Sequence, residues 1–508
     1  MTVLLRRPAL SATALLLLSA APAFAQVTAQ QVWDDWKAQM SMYGETGLTV
    51  GSEEYAGGVL TVTDLGFDVA NEDGSTASGL LPELVLTENG DGTVSVSMSE
   101  EYPIQVFTPA NAETGEPASD VALALRQSGM VLTVSGEPGA LVYDLQASRY
   151  AIELDSVTQD GAAVPAEFVV AFNDLSGSYT STVGAMRDIT YDLAAASMDL
   201  LVDATSPEDG SQFMLSGKVD GITTQATMSM PVDPAADPEM MVMNGMAMDG
   251  GYTTAGGSYM FEFVDPASGP SNGTLTSGGS SLDFAFSKDA MSYRSNATAI
   301  DLQATSAQMP LPISVQLAEM GATFEMPLAK SDTAAPWAMG VNLSGLAIDE
   351  QLWAMFDPQG MLSHDPATVN VDLTGTAKVL FDVLDPAQAE AMAAAPMPVE
   401  IESANLNSLE IAFGGASVTG TGAFTFDNTD TTTFPGMPRP TGAVDLQMNG
   451  VNGLIDTLVS MGLMPEEQVM GARMMLGMFT TAVGDDQLTS RIEVTPDGAL
   501  LANGQRLQ

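Results

Sequence analysis

Short segments in which apolar and polar residues alternate recur along this chain, separated by turns rich in Gly and Asp. Residues 59–63 and 93–98 show the alternation, and residues 88–92 (ENGDG) supply a turn before the second segment. A period of two residues is typical of a strand with one buried face. Further strands are predicted at 131–134, 141–145, 151–154, 168–172, 198–202, 213–215, 259–263 and 282–286.

Many short strands joined by such turns indicate antiparallel sheet. We therefore predict a fold that is mainly β with α (α+β). Its core is a large antiparallel curved sheet, an open barrel or a sandwich, with several packed helices.

Helices are predicted at three places in the first part of the exported chain. The first covers residues 28–43, where Thr28 and Gln31 have the spacing of a capping box and Trp33 and Trp36 lie on one apolar stripe. The others cover residues 119–128 and 237–248, and each precedes a Gly and a strand pair. We interpret this recurrence as a weak repeat of one helix and a β-meander.

The last third of the chain has a different pattern. Helices are predicted at 352–356, 386–394, 451–463 and 465–483, the last two forming a helical hairpin broken at Pro465. A β-hairpin over 488–501 closes the chain. We accordingly divide the chain into a signal peptide at 1–25, a β-meander-rich region at 26–330 and an α+β region at 331–508.

The first 25 residues have the features of a secretory signal peptide. Arg6 and Arg7 precede an apolar stretch at 9–20, and Ala23 and Ala25 occupy the positions that signal peptidase reads. We expect export by the general secretory route, cleavage after Ala25, and a periplasmic or secreted protein. No later stretch has 18 uninterrupted apolar residues, so we expect no transmembrane helix after cleavage.

Composition limits the partners. The chain has 64 acidic and 15 basic side chains and no Cys. Such a surface repels phosphate backbones, so we expect no nucleic-acid partner. The acidity fits either solubility in a salty medium or divalent-cation binding. Acidic turns near Asp73, Asp91, Asp209 and Asp430 are the places where calcium would bind, although none matches an EF-hand loop.

Candidates for catalysis are few. His364 is the single histidine, and the sequence around it (SHDP) is typical of a turn rather than of a general base. Without Cys and with one His, thiol nucleophiles and the usual zinc sites are excluded. A pair of carboxylates acting in hydrolysis stays open as an alternative. We assign no catalytic, cofactor-binding or metal-binding residue and expect no cofactor.

Methionine is unusually frequent, with 33 residues. One cluster comprises Met228, Met230, Met240, Met241, Met243, Met246 and Met248, and a second comprises Met470, Met474, Met475 and Met478. Thioethers bind Cu(I), but methionine also fills irregular cores and adapts to apolar ligands. Because both clusters fall on predicted helices, we favour core filling.

Several motifs in the last third are similar to those of a known family. They are residues 336–343 (PWAMGVNL), Leu352-Trp353, Asp357-Pro358, and residues 365–369 leading to 371–375. On these motifs the chain resembles an uncharacterised alphaproteobacterial envelope family catalogued as domain of unknown function 2125. The resemblance is expected to extend over most of the exported chain. It implies an envelope location and transfers no functional residue.

These observations favour an exported, non-enzymatic periplasmic protein that binds an apolar ligand or an envelope partner on a curved sheet. A carboxylate-dependent hydrolase and a calcium-stabilised secreted structural protein are the alternatives.

Overall fold

A computed structural model describes residues 27–41, 48–71, 73–111, 114–232, 240–395 and 397–507. The predicted signal peptide and the ends of the helices predicted at 28–43 and 237–248 lie outside these ranges. Strands make up 64% of the described residues and five helices 11%, so the fold is mainly β.

The first strands are β1 (Ser52–Ala56), β2 (Val59–Ala70), β3 (Thr76–Glu88), β4 (Val94–Met98), β5 (Glu101–Thr108), β6 (Ser119–Ser128), β7 (Val131–Glu137), β8 (Ala140–Gln159) and β9 (Ala162–Ala163). The central strands are β10 (Ala166–Val183), β11 (Met186–Thr205), β12 (Gln212–Pro231), β13 (Ala247–Thr254), β14 (Gly256–Asp265), β15 (Gly269–Ser277), β16 (Ser280–Phe286), β17 (Ala290–Ser306), β18 (Met309–Pro327) and β19 (Ala335–Ile348).

The last strands are β20 (Ala367–Val379), β21 (Val399–Phe413), β22 (Ala416–Asp427), β23 (Arg439–Asn449), β24 (Thr481–Gly484), β25 (Gln487–Val494), β26 (Leu500–Ala502) and β27 (Gln505–Arg506). The helices are α1 (Ala29–Ser41), α2 (Glu350–Phe356), α3 (Ala389–Ala394), α4 (Val451–Ser460) and α5 (Glu466–Phe479), with a 3-10 turn at Pro386–Gln388.

All strands belong to one antiparallel sheet, in which neighbours in sequence are mostly neighbours in space. The sheet continues without a break across residue 330, where β18 pairs with β19. Within the described ranges no second sheet packs on its face. The prediction of one large antiparallel sheet is therefore confirmed, whereas the several packed helices are not found.

The same strand arrangement occurs twice along the sheet. In the first module, β3 pairs with both β4 and β5. Strand β4 then pairs with β7 and strand β5 with β6, and both β6 and β7 pair with β8. In the second module, β12 pairs with both β13 and β14. Strand β13 then pairs with β16 and strand β14 with β15, and both β15 and β16 pair with β17. The repeat is thus built entirely of strands and replaces the predicted repeat of a helix and a meander.

Two helix predictions are wrong. Residues 119–128 form β6, because Val121, Leu123 and Leu125 alternate with polar or small residues and the strand pairs on both sides with β5 and β8. In the predicted helix at 237–248, the described part is a turn at 240–245 followed by the start of β13. Both segments contain good helix formers, but sheet pairing outweighs that weak preference.

The remaining helix predictions agree with the structure. Helix α1 begins with the predicted capping box, because the Thr28 amide donates to Gln31 Oε1 (2.9 Å) and the Gln31 amide donates to Thr28 Oγ1 (3.3 Å). Helices α2 to α4 and the closing hairpin of β25 and β26 lie where they were predicted. The helix predicted at 465–483 is too long, because α5 ends at Phe479 and residues 481–484 form β24, which pairs with β25.

A line of left-handed residues crosses the long strands. Residues with φ between 48° and 69° occur at Asp64, Gly129, Asp174, Gly221, Ala299 and Gly345. Strand pairing is interrupted at this level; for example, Thr63 pairs with Glu83 and Leu65 with Leu81, while the pair between them is missing. We call this line the crease.

The main buried core lies under α1. Trp33 and Val32 of the helix pack on Leu60, Val62, Leu84 and Leu86, and all of them are essentially inaccessible to solvent. Elsewhere the sheet is largely exposed. The accessible surface is 28967 Å² for a 52.8 kDa chain, whereas a compact monomer of this mass exposes about 18,000 Å².

Candidate functional site

A continuous row of apolar or small side chains crosses most of the sheet on one side of the crease. It runs through directly paired positions from β7 to β25. At about 4.8 Å per strand its length exceeds ~60 Å. Row A comprises Val134, Tyr143, Tyr179, Tyr191, Ala226, Gly250, Phe284, Tyr293, Phe324, Met339, Leu373, Leu406, Gly422, Val444 and Ile492.

A second row lies on the other side of the crease, again through directly paired positions from β5 to β19. Row B comprises Tyr102, Leu125, Ile152, Val170, Leu200, Gly217, Tyr259, Leu275, Leu302, Val315 and Ile348. Like row A, it contains no charged side chain.

The crease keeps the two rows on one face. In a regular strand, residues three apart point to opposite faces. Val62 and Leu65 nevertheless belong to one cluster under α1, because left-handed Asp64 lies between them and resets the alternation. The apolar phase shifts by one residue at the crease in β8 too, from Leu145 and Ala147 to Tyr150 and Ile152. We call the side that carries both rows the apolar face.

The opposite face is polar. The paired positions there are Thr87, Ser95, Thr133, Asp144, Ser178, Asp192, Gln225, Gly251, Asp283, Arg294, Thr323, Gly340, Asp372 and Ser408. An open depression of about 630 Å³ is lined by residues of both phases of these strands: Asp192, Gln225 and Asp283 together with Tyr191, Tyr252 and Phe284.

Much of the apolar face is not covered by any other described part of the chain. Large apolar side chains on neighbouring strands are more than one-third exposed, with Met339 at 51%, Val341 at 46% and Tyr293 at 40%. Others at comparable exposure are Ile152, Phe213, Tyr252, Phe263, Met320, Phe324, Leu343, Val369 and Ile411. Monomeric soluble proteins rarely expose contiguous apolar patches of this extent, and such patches mark interaction sites.

Helix α1 covers the beginning of the apolar face. Trp36 Nε1 donates to the hydroxyl of Tyr143 (3.1 Å), and the hydroxyl of Tyr179 donates to Gln39 Oε1 (2.6 Å). Tyr143, Tyr179 and Tyr191 follow one another at 5.1 Å between ring centroids. Burial raises the pKa of Tyr179 to about 12, so its phenol stays protonated as a donor.

Within the described strands from β8 to β25, two charged side chains lie in the apolar phase: Arg187, and Asp265 at the last position of β14, where it accepts hydrogen bonds from the amides of the following turn. Arg187 is only 4% exposed and pairs in register with Val183 and Met230. Its Nη1 donates to Asp35 Oδ1 of α1 (3.0 Å) and to Ser181 Oγ (2.8 Å), while its buried Nε has no hydrogen-bond partner among the described residues.

His364 lies at the end of α2 and not in an acid-base triad. Its ring stacks on Trp353 at 4.3 Å between centroids, and its Nδ1 lies 3.0 Å from Glu350 Oε2. Asp357 is buried beside it and accepts from the Leu362 amide (2.7 Å), and amide hydrogen bonds from Met361 and Leu362 lower its pKa. The cluster fastens the loop after α2.

The acidic turns hold their carboxylates internally. Asp73, Asp91, Asp209 and Asp430 each accept from the backbone amide and the hydroxyl of a Ser or Thr two residues on. Within the described ranges no group of three or more acidic or His side chains could hold a metal ion.

The two methionine clusters have different surroundings. Met228 and Met248 are cross-strand neighbours on the apolar face, so this cluster is not helical as predicted. Met470, Met474, Met475 and Met478 do lie on a helix, α5, but they are 51–71% exposed, so the predicted core filling is wrong for them.

Residues 261–502 match a family model described as "Uncharacterized protein conserved in bacteria (DUF2125)". Residues 261–502, just under half of the chain, therefore belong to this family. No curated protein and no solved structure matches it. The DUF2125 match begins within β14 and ends at β26, which is a shorter span than the resemblance predicted.

The DUF2125 segment contains the exposed middle and end of row A together with α2 to α5. The motif residues have structural roles: Trp337 lies over Gly375 on the neighbouring strand, and Trp353 and Asp357 fasten α2. None of the helices in the described ranges combines the length and apolarity that crossing a membrane requires. Arg187 and α1 precede the DUF2125 segment.

Sequence reasoning identified the alternation but missed the apolar face as a site. The indication was present, since the apolar phase shifts by one residue within single strands. Arg187 was also detectable as a charge at an apolar position, followed by Ile189 and Tyr191 in the same phase.

Proposed function

We propose that this protein binds the acyl chains of lipids along the apolar face and is a non-enzymatic lipid-binding protein of the cell envelope. The observation that carries the proposal is the continuity of rows A and B across many strands without a charge, combined with the lack of a covering layer over most of this face within the described residues. Burying apolar surface contributes about 25 cal/mol per Å². A face of this extent therefore favours a ligand that covers it.

The shape of the face supports acyl chains over compact ligands. Each row is one side chain wide and many strands long, so it offers an extended ligand contact at every strand. The side chains are mainly aliphatic, with Tyr and Phe at intervals, and flexible Met339 and Met320 adapt to ligands of varying shape. Export by the predicted signal peptide would place this face among envelope lipids.

Lipid analysis tests the proposal directly. Protein purified from its native envelope is extracted and analysed by mass spectrometry, and we expect stoichiometric acyl lipid. Val341→Asp places a charge on the exposed apolar face, and we expect it to lose most of this lipid. Thr323→Asp, on the polar face of the neighbouring strand, is the matched control and should keep it.

A photo-crosslinking residue introduced in place of Met339 provides a second test of where lipid binds. We expect it to attach to lipid, whereas the same residue at Thr323 should not. Lipid-free protein, or equal crosslinking at both positions, would show that the apolar face is not the binding site.

A further inference from the structure

Apart from Asp265 in the turn at the end of β14, Arg187 is the one charged group in the apolar phase of the described strands from β8 to β25. Its side chain is almost completely buried, with 4% exposure, and it lies where the cover of α1 meets the open part of the face. A buried guanidinium is costly unless its donors are paired. Asp35 and Ser181 pair only Nη1.

The unpaired atom defines a binding edge. A guanidinium has donors in a planar fork, and its Nε and Nη2 hydrogens point the same way, which matches the two oxygens of a carboxylate or phosphate. Within the part of the chain that the structure describes, Nε of Arg187 is buried without a hydrogen-bond partner. This edge is therefore suited to receive an anionic group in a site of low dielectric, where such a bond is strong.

An apolar row begins beside this edge. Row C comprises Ile189, Met228, Met248, Phe286, Met291 and Met326, which are directly paired from β11 to β18. Ile189 is two residues from Arg187 on the same face, and at about 4.8 Å per strand the row extends for ~24 Å. An amphiphile with its head at Arg187 would find aliphatic contacts for its tail along row C.

We propose that Arg187 is the head-group site of the apolar face and selects amphiphiles with an anionic carboxylate or phosphate. This inference rests on the proposed function, because the tail must occupy the apolar face. Asp35 moderates the site: it neutralises Arg187 in the unliganded protein and competes with the incoming anion.

The test compares ligands that differ only in the head. Binding of oleate and of oleyl alcohol to the full exported chain is measured by calorimetry in 0.15 M NaCl, which screens the net negative charge of the protein. A second arm compares oleoyl lysophosphatidate with monooleoylglycerol, and this arm separates a phosphate from a carboxylate preference. We expect at least one anion to bind about tenfold more tightly than its neutral partner, as a charged hydrogen bond provides.

Variants assign the preference to the site. In the double variant R187Q/D35N no charge is left buried alone, and we expect the anion preference to disappear while neutral ligands still bind. R294Q removes a charge from the polar face and should keep the preference. D35N alone removes the competitor and should increase the preference, which a purely structural ion pair would not do.

The outcomes separate the two proposals. Equal affinity of the wild-type protein for anionic and neutral ligands, or a preference that persists in R187Q/D35N, overturns the head-group site and leaves the lipid-binding function standing. Failure to bind any of the four ligands overturns both.

Discussion

Val62 and Leu65 pack into the same cluster beneath α1, although they lie three positions apart in one strand and would normally point to opposite faces. The left-handed conformation of Asp64 between them makes this possible. Repeated along the crease, the same conformation gives the sheet one apolar face instead of two half-apolar faces, and the proposed function depends on that result.

The crease can be tested with two Ala-to-Gly substitutions that should change the free energy of unfolding in opposite directions. Ala299 has φ 49°, which costs an L-residue about 1–2 kcal/mol, so Ala299→Gly should raise the free energy of unfolding by up to about 1 kcal/mol. Ala322→Gly, in the regular part of the neighbouring strand β18, should lower it by about 0.5–1 kcal/mol. Urea unfolding measures both. A loss of stability in both variants would mean that Ala299 is not strained.

Close contact between an aromatic ring and a glycine gives a second prediction. A Cβ on Gly375 would lie 2.6 Å from Trp337 Nε1 and would also collide with the Ser403 carbonyl oxygen. We expect Gly375→Ala to lower the melting temperature, at a cost of about 1–3 kcal/mol. Gly471→Ala, in the interior of α5 with open space around the new Cβ, should instead stabilise by about 0.5–1 kcal/mol.

Acid should weaken the turn around Asp209. Hydrogen bonds from the Ser211 amide and from the Ser206 and Ser211 hydroxyls lower the pKa of Asp209 to about 2. Because the folded pKa lies below the unfolded value of about 3.9, the stabilisation is present above pH ~4 and is lost as pH falls towards 2.

Asp209→Asn keeps an acceptor but does not ionise. The difference in melting temperature between the wild-type protein and this variant should therefore shrink over that pH range. Ser211→Ala removes one donor and should reduce the difference at neutral pH. A difference that is independent of pH would contradict the assigned hydrogen bonds.

Salt should stabilise the protein without a specific role for calcium. The chain has a formal net charge of −49 at neutral pH, and screening reduces the repulsion between like charges. We expect the melting temperature to rise between low ionic strength and about 0.5 M NaCl. CaCl₂ at matched ionic strength should act equally, because the turn carboxylates already accept internal hydrogen bonds. A rise of several degrees with micromolar Ca²⁺ alone would instead support calcium sites.

The sequence permits prediction of most strands but not of the apolar face. Alternation at 59–63 and 93–98 indicates that one side of each strand is buried, yet it does not say what covers that side. Under α1 the cover is Trp33; at Met339 the structure provides none. Alternation is also detected over only a few residues at a time. In the sequence, the one-residue shift of the apolar positions at Asp174 therefore looks like the end of one strand and the start of another.

The error at 119–128 has a similar origin. Leu, Ala, Arg and Gln favour helices as isolated residues, whereas the pairing partners of β6 lie in β5 and β8, and β8 is distant in sequence from the start of the segment. Arg187 was missed because its significance depends on the neighbourhood of Asp35, which lies more than a hundred residues earlier.

The paired modules β3–β8 and β12–β17 suggest how such a protein changes size in evolution. Antiparallel hairpins enter a sheet two strands at a time, so duplicating a hairpin leaves the polarity of both flanking strands unchanged, whereas inserting a single strand reverses it. Relatives of different length should therefore differ by even numbers of strands, and their ligand-contacting span should grow in steps of about 10 Å. Gene duplication alone would then set the length of the ligand-contacting surface.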